Sequence, residues 1–150
     1  MHRLTLLDEE ALNRLHQNLT SDFTAIVLLT KPGGKLRVIS SIGRRSERTS
    51  KLAFRPSQGI AQHVFKYGRK YIIDGSSLDL SGLRQTCPLL LAERLKSIIA
   101  VPILHYKLPV GLIITGHRSN YTFTDTDIKR AQNEANVISQ SVNAFYPVSP

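Results

Sequence analysis

Two apolar hairpins constrain the fold of this chain more than any other feature of its sequence. In the first, the run 23–30, rich in Ile, Val and Leu, is followed by the Gly-containing turn 31–35 and by a second run, 36–42. In the second, the apolar runs 97–104 and 110–116 are separated by another short turn. Strands joined by short turns pair antiparallel, so the two hairpins predict an antiparallel sheet.

Helical periodicity marks both ends of the chain. Apolar residues recur at spacings of three and four in the segments 7–20 and 124–146, which predicts two amphipathic helices. Thr124 is followed three residues later by Asp127, a pattern that caps the start of a helix. We expect the two terminal helices to cover one face of the sheet.

The stretch 54–74 reads as a turn, a short helix, a glycine stop and a strand. Pro56 marks the approach to a helix over 59–67, and Gly68 supplies a left-handed stop. The apolar run 71–73 then predicts a further strand.

The start of this middle helix is a candidate binding site for an anion. No acidic residue lies between Glu47 and Asp74, whereas six basic residues do. The first N–H groups of a helix have no acceptor within it and lie at the positive end of its dipole, where they favour an anion. Most helix starts bind only water, and the sequence alone leaves that reading open.

Together these elements predict an α+β fold in which residues 1–150 form a single domain. Its centre is an antiparallel sheet of five to six strands, with the terminal helices on one face. The short helix 59–67, a second short helix over 89–95 that begins after Pro88, and the loop 75–87 are expected to cover the other face and to enclose a ligand pocket.

Composition limits the functions to consider. The net charge is +9, but the basic residues are spread over several segments and no nucleic-acid recognition motif is present. We therefore expect a small anion or an acidic partner instead of nucleic acid.

The single cysteine, Cys87, excludes an internal disulfide and fits a reducing cytoplasm. The sequence has no apolar run of membrane-spanning length, and from its first residues we expect no cleavable leader. The five histidines have no metal-ligand spacing, and no nucleophile lies in an activating motif, so we expect no metal, cofactor or catalytic residue.

Three segments give the chain a resemblance to a known family. They are Gly59-Ile-Ala-Gln-His-Val-Phe-Lys-Tyr-Gly68 with the strand 71–74, Ala92 to Ile103 followed by Gly111-Leu-Ile-Ile, and Phe123-Thr-Asp-Thr-Asp127. In order and spacing they resemble a GAF domain, a small-molecule sensory module. The resemblance covers nearly the whole chain and implies the fold more specifically than the ligand.

Among free-standing GAF proteins, the chain is similar to the nitrate receptors of bacterial nitrate- and oxygen-sensing systems. This resemblance implies nitrate as the ligand and a sensor histidine kinase as the partner. It also implies that backbone N–H groups at the start of the middle helix, aided by the N–H of Ile103, hold the anion between apolar walls. The residues so implicated are Ile42, Gly59, Ile60, Ala61, Val64, Val101 and Ile103.

Two alternatives remain at this point. One is an enzyme similar to the free methionine-(R)-sulfoxide reductases, which would act through Cys87, although that chemistry uses several cysteines. The other is a GAF domain that binds a different small molecule, such as a nucleotide.

Two surfaces are predicted to serve the sensor. The terminal helices, with apolar surface at Leu4, Leu7 and Leu12, are expected to support a homodimer or to contact the kinase. The basic loop, which comprises Arg44, Arg45, Arg48 and Lys51, is expected to raise the local anion concentration near the pocket without touching the ligand.

Overall fold

A computed structural model describes residues 6–31, 33–74 and 87–145, with side chains through residue 142. The predicted turn residue Pro32, the N-terminal Leu4 and the loop 75–86 lie outside the described residues. In chain order the elements are α1 (Leu6–Asn18), β1 (Phe23–Leu29), β2 (Leu36–Ile42), a 3-10 turn (Thr49–Lys51), β3 (Ala53–Phe54), α2 (Gly59–Tyr67), β4 (Tyr71–Ile73), α3 (Pro88–Glu93), β5 (Ser97–His105), β6 (Leu108–His117) and α4 (Asp125–Phe145).

The strands form one antiparallel sheet in the order β3-β2-β1-β6-β5-β4. The two predicted hairpins, β1–β2 and β5–β6, lie side by side because β1 also pairs with β6. The prediction of five to six strands is confirmed. The strand β3 was not predicted, because its two residues are too few to show an alternating pattern.

The two faces of the sheet carry separate apolar clusters. Side chains alternate along a strand, so Ala25 and Val27 of β1 face one way while Ile26 and Leu28 face the other. The first face is covered by α2 and α3, and the second by α1 and α4. This arrangement confirms the predicted α+β layering with the terminal helices on one face.

Local signals place the helix ends as predicted. At α4, the hydroxyl of Thr124 accepts a hydrogen bond from the N–H of Asp127 at 3.1 Å, and the Asp127 carboxylate accepts one from the N–H of Thr124 at 3.0 Å. Gly68 ends α2 in the left-handed conformation at φ 61°.

The exposure of α1 corrects one detail of the predicted association surface. Leu12 is fully buried against the sheet, so it offers no surface to a partner. Leu6 and Leu7 are 74% and 63% exposed. Within the described ranges, no helix combines the length and the apolar character that crossing a membrane requires.

Candidate functional site

The candidate anion seat is the first turn of α2, and the segment before it is held rigidly. The carbonyl and N–H of Arg55 form reciprocal hydrogen bonds with the N–H and side-chain oxygen of Gln58, at 3.1 and 3.0 Å. The carbonyl of Gln58 then accepts from the N–H of Gln62 at 3.3 Å. The N–H groups of Ile60 and Ala61 precede this first helical bond, which leaves them at the positive end of the helix.

The buried face of α2 packs onto the sheet. Ile60, Ala61 and Val64 are at most 2% exposed and belong to the first apolar cluster. Beside them, His63 stacks on Tyr71 of β4 with ring centroids 4.7 Å apart. The start of α2 is therefore fixed between the sheet and the segment that leads into it.

Cys87 lies where α2 and α3 begin. It is the N-cap residue of α3, Pro88 follows as the first helical residue, and its side chain is 4% exposed. Burial raises the pKa of the Cys87 thiol, while the nearby N–H groups of Leu90, Leu89 and Ile60 act in the opposite direction. The result is a neutral thiol whose sulfur is within reach of an N–H group at the start of α2.

Three predicted wall residues lie on the wrong face of the sheet. Ile42, Val101 and Ile103 pack with α1 and α4 in the second cluster, whereas Val64 packs in the first. Alternation along β5 is the physical reason, because Ala100 faces α2 and its neighbour Val101 faces away. The prediction that these three side chains line a pocket with Val64 is wrong. The N–H of Ile103 as an additional donor stays a prediction.

The apolar side chains that pack with Ile60 and Val64 come from α3, the second short helix that was expected to enclose the pocket, although none of its residues was named as a site residue. Leu89 and Leu90 are at most 1% exposed and pack in the same cluster as Ile60 and Cys87. The signal was present in the sequence, because a proline at a helix start fixes where the next turn of apolar side chains lies.

A second buried feature, the Glu93 hub, fixes the basic loop. The Glu93 carboxylate is fully buried and accepts hydrogen bonds from the N–H groups of Arg45 and Ser46 at 2.9 and 3.1 Å. It also accepts from the Thr49 hydroxyl and from the guanidinium of Arg118, the latter at 2.6 Å. The end of α3, the residue that follows β6 and the basic loop thus share one carboxylate.

The protonation of Glu93 follows from these bonds. Burial acts to raise its pKa, but the hydrogen bonds from Thr49, Arg45, Ser46 and Arg118 together lower it. Arg118 also donates to the carbonyl oxygens of Glu93 and Gly43 at 2.8 and 3.0 Å. Sequence reasoning had no signal for this ion pair, because its members lie on separate elements.

Two surface cavities accompany these features. One, of about 350 Å³, lies over the Glu93 hub and is lined by Arg45, Ser46, Ala92, Glu93, Arg94 and Arg118. The other, of about 730 Å³, lies between the β1–β2 turn and the approach to α2. Neither is lined by Ile60, Ala61 or Val64. The described residues contain no group of three His, Cys, Asp or Glu that could hold a metal ion.

Comparison with known proteins agrees with this architecture. A profile of the GAF domain family matches residues 5–143. Two structures of Staphylococcus aureus NreA protein mutated in its nitrate binding site are similar to this chain, both with a TM-score of 0.65. One is 24% identical and covers 77% of this chain and 88% of its own, and the other is 26% identical and covers 81% and 95%.

More distant structures share the fold alone. The GAF domain of an Acinetobacter phosphoenolpyruvate-protein phosphotransferase is 13% identical, with a TM-score of 0.76 over 98% of this chain and 88% of its own. A fragment of a methyl-accepting chemotaxis protein is 20% identical, with a TM-score of 0.76 over 95% and 93%. No curated protein matches the sequence.

Proposed function

Because the chain belongs to the GAF domain family, we propose that it is a non-catalytic, cytoplasmic sensor that binds a small anion, nitrate first, and regulates a sensor histidine kinase. The observation that carries the proposal is the first turn of α2, where the N–H groups of Ile60 and Ala61 precede the first helical hydrogen bond. The likeness to NreA, whose structures are described by their nitrate binding site, supports nitrate as the first ligand to test.

The chemistry of the seat suits nitrate. Nitrate is flat, weakly hydrated and singly charged, so two or three N–H donors within apolar walls can hold it. Phosphate carries more charge and needs more donors. Burial of one charge without a full counter-charge is costly, so we expect a dissociation constant in the range of about 1 μM to 1 mM.

The walls of the proposed seat come from α2 and α3. Ile60 and Val64 of α2 pack in the same apolar cluster as Leu89 and Leu90 of α3. The Cys87 sulfur, a weak acceptor, lies near the N–H of Ile60. An oxygen of nitrate is a stronger acceptor for that N–H, so binding would exchange the contact with sulfur for one with the anion.

This exchange gives the sensor a mechanism. Cys87 is the N-cap of α3, so displacement of its sulfur moves the start of α3 relative to α2. Nitrate would then favour one of two arrangements of these helices and change the surface offered to the kinase.

Absence of catalysis is part of the proposal. The Cys87 thiol is 4% exposed and burial raises its pKa, whereas a nucleophilic cysteine needs an accessible thiolate. A Cys87→Ser variant separates the two classes of function. A sensor still binds nitrate after this change, with a lower affinity because the serine oxygen is a stronger acceptor than sulfur and competes for the N–H of Ile60, whereas an enzyme that acts through the thiol loses turnover of free methionine sulfoxide.

Thermal unfolding in the presence of different anions tests the proposal. A ligand that binds only the folded protein stabilises it by about 2.7 kcal/mol at 100 times its dissociation constant, which for a chain of this size raises Tm by about 5 to 10 °C. We expect this shift with sodium nitrate and none with sodium chloride at the same ionic strength. Equal shifts with both salts would contradict the nitrate proposal, and a shift with a cyclic nucleotide alone would favour the nucleotide alternative.

A further inference from the structure

The larger surface cavity forms a basic groove. Two segments line it: the β1–β2 turn with the start of β2, and the turn that leads from β3 into α2. Its volume is about 730 Å³, which is within the range of small-molecule sites. The described lining residues are Thr30, Lys31, Gly33, Gly34, Lys35, Arg37, Arg55, Pro56 and Ser57.

The charges around the basic groove are all of one sign. Its described lining contains four cationic side chains, Lys31, Lys35, Arg37 and Arg55, and no acidic one. All four residues are exposed, and none is ion-paired with an acidic side chain in the described part of the chain. A concave surface lined by unneutralised charge of one sign concentrates the oppositely charged ligand.

The sheet register holds these cations close together. β2 and β3 pair antiparallel, with Leu36 opposite Phe54 and Arg37 opposite Ala53. One step further in the same register, Lys35 comes opposite Arg55. Like charges at opposed positions destabilise a strand pair, so an anion bound between them relieves a repulsion that the free protein bears.

The size and chemistry of the basic groove select among anions. Two guanidinium groups offer paired donors that match phosphate oxygens, and two ammonium groups add charge. A diphosphate group carries several charges within one compact unit, whereas carboxylates of an acidic peptide carry one each and are spread along a chain. No aromatic side chain is present among the described lining residues, so the groove lacks the stacking platforms with which proteins hold single-stranded nucleic acid.

We propose that the basic groove is a second anion site, distinct from the nitrate seat, and that it binds a small molecule through a diphosphate group. Free inorganic diphosphate and the diphosphate of a nucleotide present the same chemistry to Arg37 and Arg55. Ile60 and Ala61 do not line the groove, so this site and the nitrate seat can be tested separately.

Calorimetric titration of the nitrate-free protein with inorganic diphosphate, orthophosphate and ADP at constant ionic strength tests the site. We expect diphosphate to bind about tenfold or more tightly than orthophosphate, because it engages more of the four cations. ADP that binds as tightly as diphosphate identifies the phosphates as the recognised group. Equal affinity for orthophosphate and diphosphate would overturn the proposal.

A matched pair of variants locates the binding. The double variant Arg37→Gln/Arg55→Gln removes two charges from the groove, and Arg44→Gln/Arg48→Gln removes two from the exposed basic loop. We expect the first to weaken diphosphate binding by about tenfold or more and the second by less than about twofold. Equal losses of diphosphate affinity in both double variants would mean attraction by net charge alone. Tighter binding of a single-stranded oligonucleotide that diphosphate cannot displace would mean a nucleic-acid surface. Either result would overturn the proposal.

Discussion

The Glu93 hub leads to the sharpest prediction about stability. In Glu93→Gln, the neutral amide no longer balances the guanidinium of Arg118, whose side chain is 13% exposed, and its NH₂ group faces N–H donors that the carboxylate had satisfied. Loss of one partner of a buried ion pair costs about 3 to 5 kcal/mol. A domain near the middle of the ordinary stability range of about 5 to 15 kcal/mol survives this loss, so we expect a folded variant whose Tm is about 6 to 20 °C lower.

The chain offers a matched control for this variant. Glu134 forms a two-point ion pair with Arg14 at 2.8 and 2.9 Å, but the Arg14 side chain is 48% exposed. Water compensates for the loss of such a pair, so Glu134→Gln is expected to cost about 0.2 to 1 kcal/mol. Both free energies of unfolding are measured by urea titration, with equal slopes as the check that the unfolding reaction is the same.

Two further results test the reasoning. Hydrogen bonds lower the pKa of Glu93 despite its burial. The stability that the Glu93 carboxylate contributes is therefore complete above the ordinary pKa of 4.5 and is lost as the pH falls through the lowered pKa. The stability gap between the parent and Glu93→Gln should therefore narrow in acid. The double variant Glu93→Gln/Arg118→Met should cost less than the sum of the two single substitutions, because each single change leaves a buried charge without its partner and the double change does not. A cost for Glu93→Gln as small as that for Glu134→Gln, with no dependence on pH, would refute the account.

The remaining predictions concern pH, the proposed seat and the basic loop. Burial lowers the pKa of His16, with opposition from Asp22. The contribution of His16 to stability is therefore complete above the ordinary pKa of 6.5 and is lost as the pH falls below it. Urea titrations at about pH 7.5 and pH 5.5 should show a larger drop in the free energy of unfolding for the parent than for His16→Gln, and equal drops would contradict this. Ala61→Pro removes one proposed N–H donor in the first helical turn and should weaken nitrate binding by about tenfold in calorimetry; unchanged affinity in the folded variant would exclude that donor. Replacement of all four cations of the basic loop, 44–51, by glutamine should weaken nitrate binding at low salt and have little effect at high salt; unchanged affinity at low salt would exclude steering.

Most of the fold could be predicted because its signals are local. The hairpin turns, the capping pair Thr124 and Asp127, and Gly68 each act within a few residues of the structure they determine. The sequence also encodes which strand residues share a face, because side chains alternate along a strand, but it does not say which helices cover that face. The predictions that the side chains of Ile42, Val101 and Ile103 line the pocket failed because the sequence does not say which set of alternating side chains faces α2.

The features that could not be predicted depend on the tertiary structure. The pairing of Glu93 with Arg118 and the assembly of the basic groove from two separate turns require the sheet to bring distant segments together. Cys87 was identified as a residue of interest, but its position at the start of α2 follows only from the packing of α3.

The most direct test of the proposed anion seat is a titration of the ¹⁵N-labelled protein with sodium nitrate, followed by the backbone amide resonances. The proposed function predicts that the N–H resonances of Ile60 and Ala61 shift first and most, that those of Leu89 and Leu90 follow as the Cys87 contact is exchanged, and that sodium chloride at equal ionic strength leaves them unchanged. Saturation is expected at or below tens of millimolar nitrate, about ten times the weakest expected dissociation constant. Resonances of Ile60 and Ala61 that do not move at that concentration, or that move equally with chloride, would contradict the central claim.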